Sequence, residues 1–454
     1  MNTSDTIILP GYQIQLYQDG PLHSRTKLHS AATDFARDCQ VDPSVIHSKP
    51  CATMQETIQY RCTCAFQIVL DEDQNYHYAM RTHGQAVKIG TNAFPIATLC
   101  IQNVMKLMMD HLNNYNEEFN LVREYLSSVS FVSSWEEEGK DCIVTLNYAK
   151  QINPDDAVFL EQLEQLRLQC EMTTLIVRSK KMKVEIGRVP PYIEDDIVLT
   201  RLHHGGFQVS LNKKVEKVHP DDNQTMVSYR KPEDAFQHPN GNTMIQALDW
   251  MLNRLHFIQN DLQKVPTGNR YLLEMYCGCG AHTMAIAKAK LFDYIVAVEM
   301  DQRLVDACLY NCERNGCRSS NEVWNNDSNM NTINPTPVHV FQGDAGDFAA
   351  KALRKRDYAP QTTSVHSKSY WQSQSFQVLL VDPPRGGLDE HVLNLAINGP
   401  FQHLIYISCG KNALIRDLKV LSTAFEVVDC TLTDLFPRTD SVETLLHLKR
   451  KQII

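Results

Sequence analysis

Five short apolar runs stand in order in the second half of the chain: "RYLLEMYCGCG", "DYIVAVEM", "VHVFQGDA", "FQVLLVDPP" and "HLIYISCG". Helical stretches separate most of them. Runs of this length, rich in Val, Ile, Leu and aromatic side chains, read as strands buried on both faces. Strands that alternate with helices run parallel, because a parallel pair needs a long crossover connection. This alternation predicts an α/β domain over residues 226–454, built on an open, mostly parallel sheet. It also says where to look for function. Open α/β sheets bind ligands in the crevice outside the carboxyl ends of their strands, so the residues that end these runs are the ones to weigh.

The rest of the chain reads differently. The closing segments "FEVVDCTLTDLFP" and "VETLLHLKR" predict two strands in an antiparallel pair. Upstream of the parallel sheet, "NTMIQALDWMLNRLHFI" repeats apolar residues at Met244, Leu248, Met251, Leu255 and Ile258, a helical stripe. Residues 56–225 mix strand-like runs with helices, one of them carrying Leu99, Val104, Leu107, Met108 and Leu112, and predict an α+β domain. Residues 1–55 show no sustained period and are expected to form a poorly packed leader. Two polar stretches, 319–337 and 358–375, read as surface insertions.

Composition narrows the class. In 454 residues, 43% are hydrophobic and 21% charged, the balance of an ordinary globular protein. No apolar run reaches the ~18 residues that span a bilayer, and the first residues lack the pattern of a secretory signal. The 14 cysteines show no framework or paired CxxC spacing, so a metal cluster is not expected and a reducing, intracellular setting is, cytoplasmic with nucleus or organelle left open. Cys308, Cys312 and Cys317 have the spacing of one buried helix face and its end. The formal net charge of −9 means that nucleic-acid binding would rest on local patches. "RSKKMKVEIGR", with Lys180, Lys181 and Lys183, is one candidate, although such a run is also the ordinary form of a solvated face.

The strand ends carry the chemistry. "LLEMYCGCGAHTMAIA" is a strand, a Gly-rich turn and a helix, with Gly278 and Gly280 allowing close backbone approach to a ligand. Glu299 ends the next strand, at the distance where an acid reaches a ribose diol. With no phosphate-cradling loop or lysine, S-adenosyl-L-methionine suits this turn better than NAD or ATP. Asp382 ends the fourth run and is followed by a rigid Pro-Pro. Cys409 ends the fifth. By itself it reads equally as a buried core thiol, since cysteine is among the most buried residue types; at a strand end beside Asp382 it also reads as a nucleophile. Glu443, at the start of the last strand, is an exposed strand-end acid or a general base.

Taken in order, "YRKPEDAFQHPN", "LLEMYCGCG", "VLLVDPPRGGLD", "YISCG" and "LFPRTDSVETLL" resemble the tRNA (uracil-5-)-methyltransferase family. Its corresponding segments read F-x-Q-x-N, L-x-Y-C-G-x-G, D-P-P-R-x-G-L-D, Y-I-S-C and F-P-x-T-x-H-x-E. The resemblance covers nearly the whole chain and implies a Rossmann-like, S-adenosylmethionine-dependent methyltransferase domain preceded by an α+β RNA-recognition domain. It implies that Gln237 holds the cofactor's amino-acid end with Tyr276 near it, and that Glu299 holds the ribose. Asp382 would lie at the cofactor and the target uracil, with Cys409 as nucleophile and Glu443 as base. The implied substrate is the uridine at position 54 of the tRNA T-loop, the implied partner is tRNA, and the expected state is a monomer. Ribosomal RNA as substrate, or an RNA-folding protein without turnover, are the rival readings. The chain departs from the family pattern at Ala281, where asparagine is usual, and at Ser441, where histidine is usual.

Overall fold

The computed structural model describes residues 19–82, 85–89, 94–114, 117–135, 141–180, 182–211, 223–233, 235, 238–262, 270–320, 336–353 and 376–452. Gln237, Lys181 and most of both polar stretches lie outside the described residues.

Residues 20–49, expected to be loosely packed, are not. Helix α1 (Gly20–Cys39) begins at an Asp19 cap that accepts from the Leu22 N–H, with a proline in its first turn. It buries Ser24, Leu28 and Phe35 along one face. Strand β1 (Ile46–Lys49) follows and pairs in parallel with a strand of the catalytic sheet. The segment docks by a short apolar stripe, Leu28, Ala31, Ala32, Phe35 and Cys39, and by buried polar contacts. Ser24 Oγ accepts from the Cys51 N–H, and the buried Lys27 ammonium reaches Asp434 and the carbonyls of Phe436 and Ser441.

A seven-stranded sheet comes next: β2 (Thr63–Leu70), β3 (Tyr76–Thr82), β4 (Gln85–Ile89), β5 (Leu126–Ser133), β6 (Cys142–Tyr148), β7 (Thr174–Ser179) and β8 (Met182–Gly187), in the order β4-β3-β2-β5-β6-β7-β8. Helices α2 (Leu99–Asn114), α3 (Asn120–Arg123) and α4 (Ala157–Gln169) accompany it. Val104, Met108 and Leu112 of α2 enter its core as predicted, whereas Leu99, at the first turn, is exposed.

Three further strands, β9 (Tyr192–Arg201), β10 (Phe207–Leu211) and β11 (Gln224–Pro232), form a separate sheet. The predicted domain boundary at 225 cuts through them. Their inward side chains, Ile197, Leu199, Phe207, Val209, Val227 and Tyr229, share a core with helix α5 (Gly241–Leu262), not with the first sheet. Which core a strand face joins is a tertiary fact. All five stripe residues of α5 are buried.

The parallel core consists of β12 (Tyr271–Met275), α6 (Ala281–Ala289), β13 (Tyr294–Glu299), α7 (Gln302–Arg314), β14 (Ser319–Ser320), β15 (Val338–Gln342), α8 (Ala345–Leu353), β16 (Phe376–Val381), α9 (Glu390–Asn398), β17 (His403–Ser408) and α10 (Lys411–Leu421). Strands β18 (Phe425–Thr433) and β19 (Glu443–Arg450) complete it in the order β1-β18-β19-β17-β16-β12-β13-β15-β14. β19 runs antiparallel to both its neighbours, as the closing segments predicted. From β12 the chain moves first toward β13 and later to β16 on the other side, so the crevice at the end of β12 is the topological switch point. Cys308, Cys312 and Cys317 are buried in the core.

Candidate active site

Every predicted residue that the structure describes lies along one edge of the large sheet. Tyr276 follows β12, Glu299 ends β13, Asp382 follows β16 and Cys409 follows β17. Glu443 arrives from the opposite chain direction, because β19 is antiparallel. Register makes the pairing specific. Ser408 on β17 faces Thr444 on β19, so one residue further along Cys409 comes level with Glu443.

The cofactor side is built around the turn after β12. Gly280, with φ of 85°, caps α6, and a Cβ there would lie 2.6 Å from the Cys308 sulfur. Only glycine meets both conditions. Gly278, with φ of 58°, has open space where a side chain would stand, and its N–H donates to Glu299 Oε2 at 3.1 Å. The Met300 and Asp301 N–H groups donate to Glu299 Oε1, both at 2.8 Å. Glu299 is thereby held with lone pairs left for ribose hydroxyls, and the exposed Met300 side chain beside it is an apolar surface for a base. These residues fit a nucleoside cofactor. Burial raises the Tyr276 phenol well above its usual range.

The catalytic side gathers Asp382, Cys409, Glu443 and a residue that the sequence reading left out, His238. Cys409 is half-buried. Burial raises its thiol, the charges of Glu443 and Asp382 push the same way, and Arg385 opposes them by hydrogen bond and charge. Asp382 is pushed up to about 7, by burial first and the Glu443 charge second, against the pull of His238. Glu443 is buried, and its Oε2 lies 3.2 Å from His238 Nε2. Burial alone would lower the His238 imidazole, but the Glu443 charge and hydrogen bond, the Asp382 charge and the Asn240 carbonyl outweigh it and raise it. His282, on α6, is pulled down to about 4 by burial and stands as a neutral ring near the pair.

His238 was legible in one respect. Counted from Phe236, the third position of F-x-Q-x-N falls on His238 and not on Gln237. What no pattern gives is its contact with Glu443, 205 residues away in the chain.

The proposed basic patch is partly spent within the protein. Lys180 is exposed, but Lys183 pairs with Glu185 at 2.7 Å and with Glu233 at 3.5 Å. Among the described residues no cluster of His, Cys, Asp and Glu could hold a metal ion, and no helix is long and apolar enough to cross a membrane.

A doubly wound sheet with a Gly turn after its first strand, an acid ending the second and an acid-Pro-Pro ending the fourth defines a Rossmann-like, S-adenosylmethionine-dependent methyltransferase. The particular branch follows from the remaining segments: residues 47–451 match the sequence model of the tRNA (Uracil-5-)-methyltransferase family, and the chain belongs to that family. Among its relatives is the tRNA/tmRNA (uracil-C(5))-methyltransferase of Shewanella loihica, 28% identical over 395 residues, covering 86% of this chain and 88% of that protein. The same-named protein of Shewanella piezotolerans is 26% identical over 430 residues, covering 94% and 95%. In fold the chain is similar to the Pyrococcus abyssi tRNA (uracil-54, C5)-methyltransferase crystallised with S-adenosyl-L-homocysteine. The TM-score is 0.53 at 14% identity, covering 94% of this chain and 83% of that one.

Proposed function

We propose that the protein methylates carbon 5 of the uridine at position 54 in the T-loop of tRNA, through a covalent bond between Cys409 and the uracil ring. The observation that carries this reading is the register that sets Cys409 level with Glu443, with Asp382 just past the end of the adjacent strand. The names of the relatives, which act on tRNA and tmRNA, and the uracil-54 specificity of the archaeal structure support the choice of substrate.

The chemistry needs these three residues. Carbon 5 of uracil is a poor nucleophile. Addition of the Cys409 sulfur at carbon 6 pushes the ring electrons into an enolate, which places electron density on carbon 5. S-adenosylmethionine, when bound, supplies an electrophilic sulfonium methyl. Glu443 then removes the hydrogen at carbon 5, the ring double bond re-forms, and the Cys409 sulfur leaves as thiolate. Asp382, held up to about 7, is protonated in a large fraction of molecules at neutral pH and can donate a hydrogen bond to the developing enolate oxygen. Arg385 is the group that draws Cys409 toward thiolate. Bond formation to carbon also removes the thiolate charge from beside two carboxyl groups, so the adduct relieves the repulsion that raises the free thiol.

The target base lies in a folded loop and must be extruded, at a cost of a few kcal/mol. The seven-stranded domain is the surface placed to grip that loop, by shape and single-stranded contacts. Tyr276 is assigned to the cofactor's amino-acid end by the family pattern.

The test is methyl transfer from labelled cofactor to a tRNA transcript, to an isolated T-arm hairpin and to ribosomal RNA, with the product position mapped. Both tRNA and hairpin are expected to be methylated at position 54. Label at another position, or in ribosomal RNA alone, would overturn the substrate. Glu443→Gln is expected to leave a slow-migrating protein–RNA band on a denaturing gel; normal turnover in that variant would remove Glu443 as the base.

A further inference from the structure

The contact between His238 and Glu443 contains a constraint on protons. Nδ1 of His238 lies 2.8 Å from the Asn240 carbonyl oxygen. A carbonyl only accepts, so Nδ1 carries the hydrogen. The Asn240 N–H also approaches Nδ1, but at 3.4 Å, and the shorter contact decides the tautomer. Nε2 then has a lone pair when the ring is neutral. Facing Glu443 Oε2 at 3.2 Å, that lone pair meets a carboxylate lone pair unless one proton lies between them. The pair is therefore built to hold a single proton.

The ring is held in this orientation from several sides. The backbone carbonyl of His238 accepts from Trp135 Nε1 at 3.0 Å and from the Cys62 thiol at 3.3 Å. The Cys62 N–H donates to the Pro239 carbonyl, and the Asn240 side chain donates to the Leu435 carbonyl, 3.1 Å away in the loop that leads to Glu443. Three separate parts of the chain thus converge to aim one imidazole at one carboxylate oxygen.

We propose that His238, as imidazolium, is the positioning residue of the elimination step: it ties down Glu443 Oε2 and leaves Oε1 directed at the carbon 5 hydrogen. The inference rests on the reading of Glu443 as base. In the step itself the bond between carbon 5 and hydrogen breaks, its electron pair forms the double bond to carbon 6, and the sulfur departs with the electrons of its bond to carbon 6. The proton ends on Glu443 Oε1, and the proton on His238 Nε2 stays where it is.

The sign of the pH dependence follows. The groups that face the imidazole are Glu443 from β19, Asp382 from the end of β16, His282 from α6 and the Asn240 carbonyl. The carboxyl groups raise His238, so its protonated form persists above the ordinary histidine range. Competence is full below that raised value and is lost as pH rises through it.

Decay of the covalent adduct is the step to measure, because Cys409 is then bonded to carbon and no longer titrates. Rapid-quench single turnovers with the T-arm hairpin and cofactor, run on denaturing gels across pH 6 to 9, give that rate. Wild-type decay is expected to slow at high pH. A glutamine side chain can donate to Glu443 at every pH, so His238→Gln is expected to retain decay within about tenfold of wild type and to lose the alkaline limb. His238→Ala is expected to accumulate adduct at all pH values, with cofactor and hairpin affinity within about threefold. If Glu443→Gln traps adduct but both His238 variants decay with the wild-type rate and pH profile, the role of His238 is wrong and the base assignment stands. If Glu443→Gln traps none and turns over normally, the base assignment itself fails.

Discussion

Removal of one buried ammonium from the first helix should loosen the loop that carries the base. Lys27 Nζ lies 2.5 Å from Asp434 Oδ1, and the two side chains are 8% and 1% exposed. The same nitrogen donates to the Phe436 carbonyl at 3.2 Å and to the Ser441 carbonyl at 3.1 Å, two residues before Glu443. Asp434 Oδ2 is buried with no hydrogen-bond partner among the described residues, so the carboxylate depends on its other oxygen. Lys27→Met keeps most of the stem and deletes the charge. Breaking a buried pair from one side costs about 3–5 kcal/mol, because the remaining charge is left without compensation. The carbonyl contacts belong to the same network and do not add to that figure independently. A double variant, Lys27→Met with Asp434→Asn, removes the stranded charge and should recover at least half of the loss. Urea unfolding of the parent, the single and the double variant measures the first effect. Turnover measures the second, and a fall of about tenfold or more is expected, equivalent to ~1.4 kcal/mol, with cofactor affinity little changed. A single variant that unfolds within ~1 kcal/mol of the parent and turns over normally would refute the coupling between α1 and the Glu443 loop.

Three further outcomes test the site. Cys409→Ala should abolish methyl transfer and adduct formation while cofactor affinity, read by calorimetry, stays within a few-fold, since the half-buried sulfur contributes little packing; retained turnover would remove it as nucleophile. Asp382 is raised in the folded protein to about 7 from an unfolded value near 3.9, so its ionised form is the one that folding disfavours. Its contribution therefore makes stability fall as pH rises from about 4 to about 7 and level off above; Asp382→Asn should flatten that slope in thermal unfolding, and an unchanged slope would show that Asp382 titrates normally. A Cβ at Gly410 would stand 2.5 Å from the Arg385 carbonyl oxygen. Gly410→Ala should thus cost ~1–3 kcal/mol of overpacking and slow adduct formation by separating Cys409 from Arg385, an outcome excluded by parental rates on a rapid-quench gel.

Much of this protein follows from its residues taken in order. The buried runs at 271–275, 294–299, 376–381 and 403–408 were legible as strands because they are short, apolar and rich in branched and aromatic side chains. Their ends bear Glu299, Asp382 and Cys409 because the carboxyl edge of a parallel sheet is where loops meet ligands. The stripe of α5 and the antiparallel closing pair were legible for the same reason: period and length are local properties. Tertiary structure alone decided what local properties leave open. The face that β9–β11 present could join either core, and most of it packs against α5 while Ile193 meets the seven-stranded sheet. Residues 20–49 dock partly through buried polar contacts, which carry no periodic signal, beside a short apolar stripe. Cys409 is a candidate nucleophile in sequence, but its place level with Glu443 depends on the β17–β19 register, and the imidazole behind Glu443 comes from a segment 205 residues away. Periodicity reports which side of an element is buried; only the closed fold determines what that side meets, and the electrostatics of the site arise from those meetings.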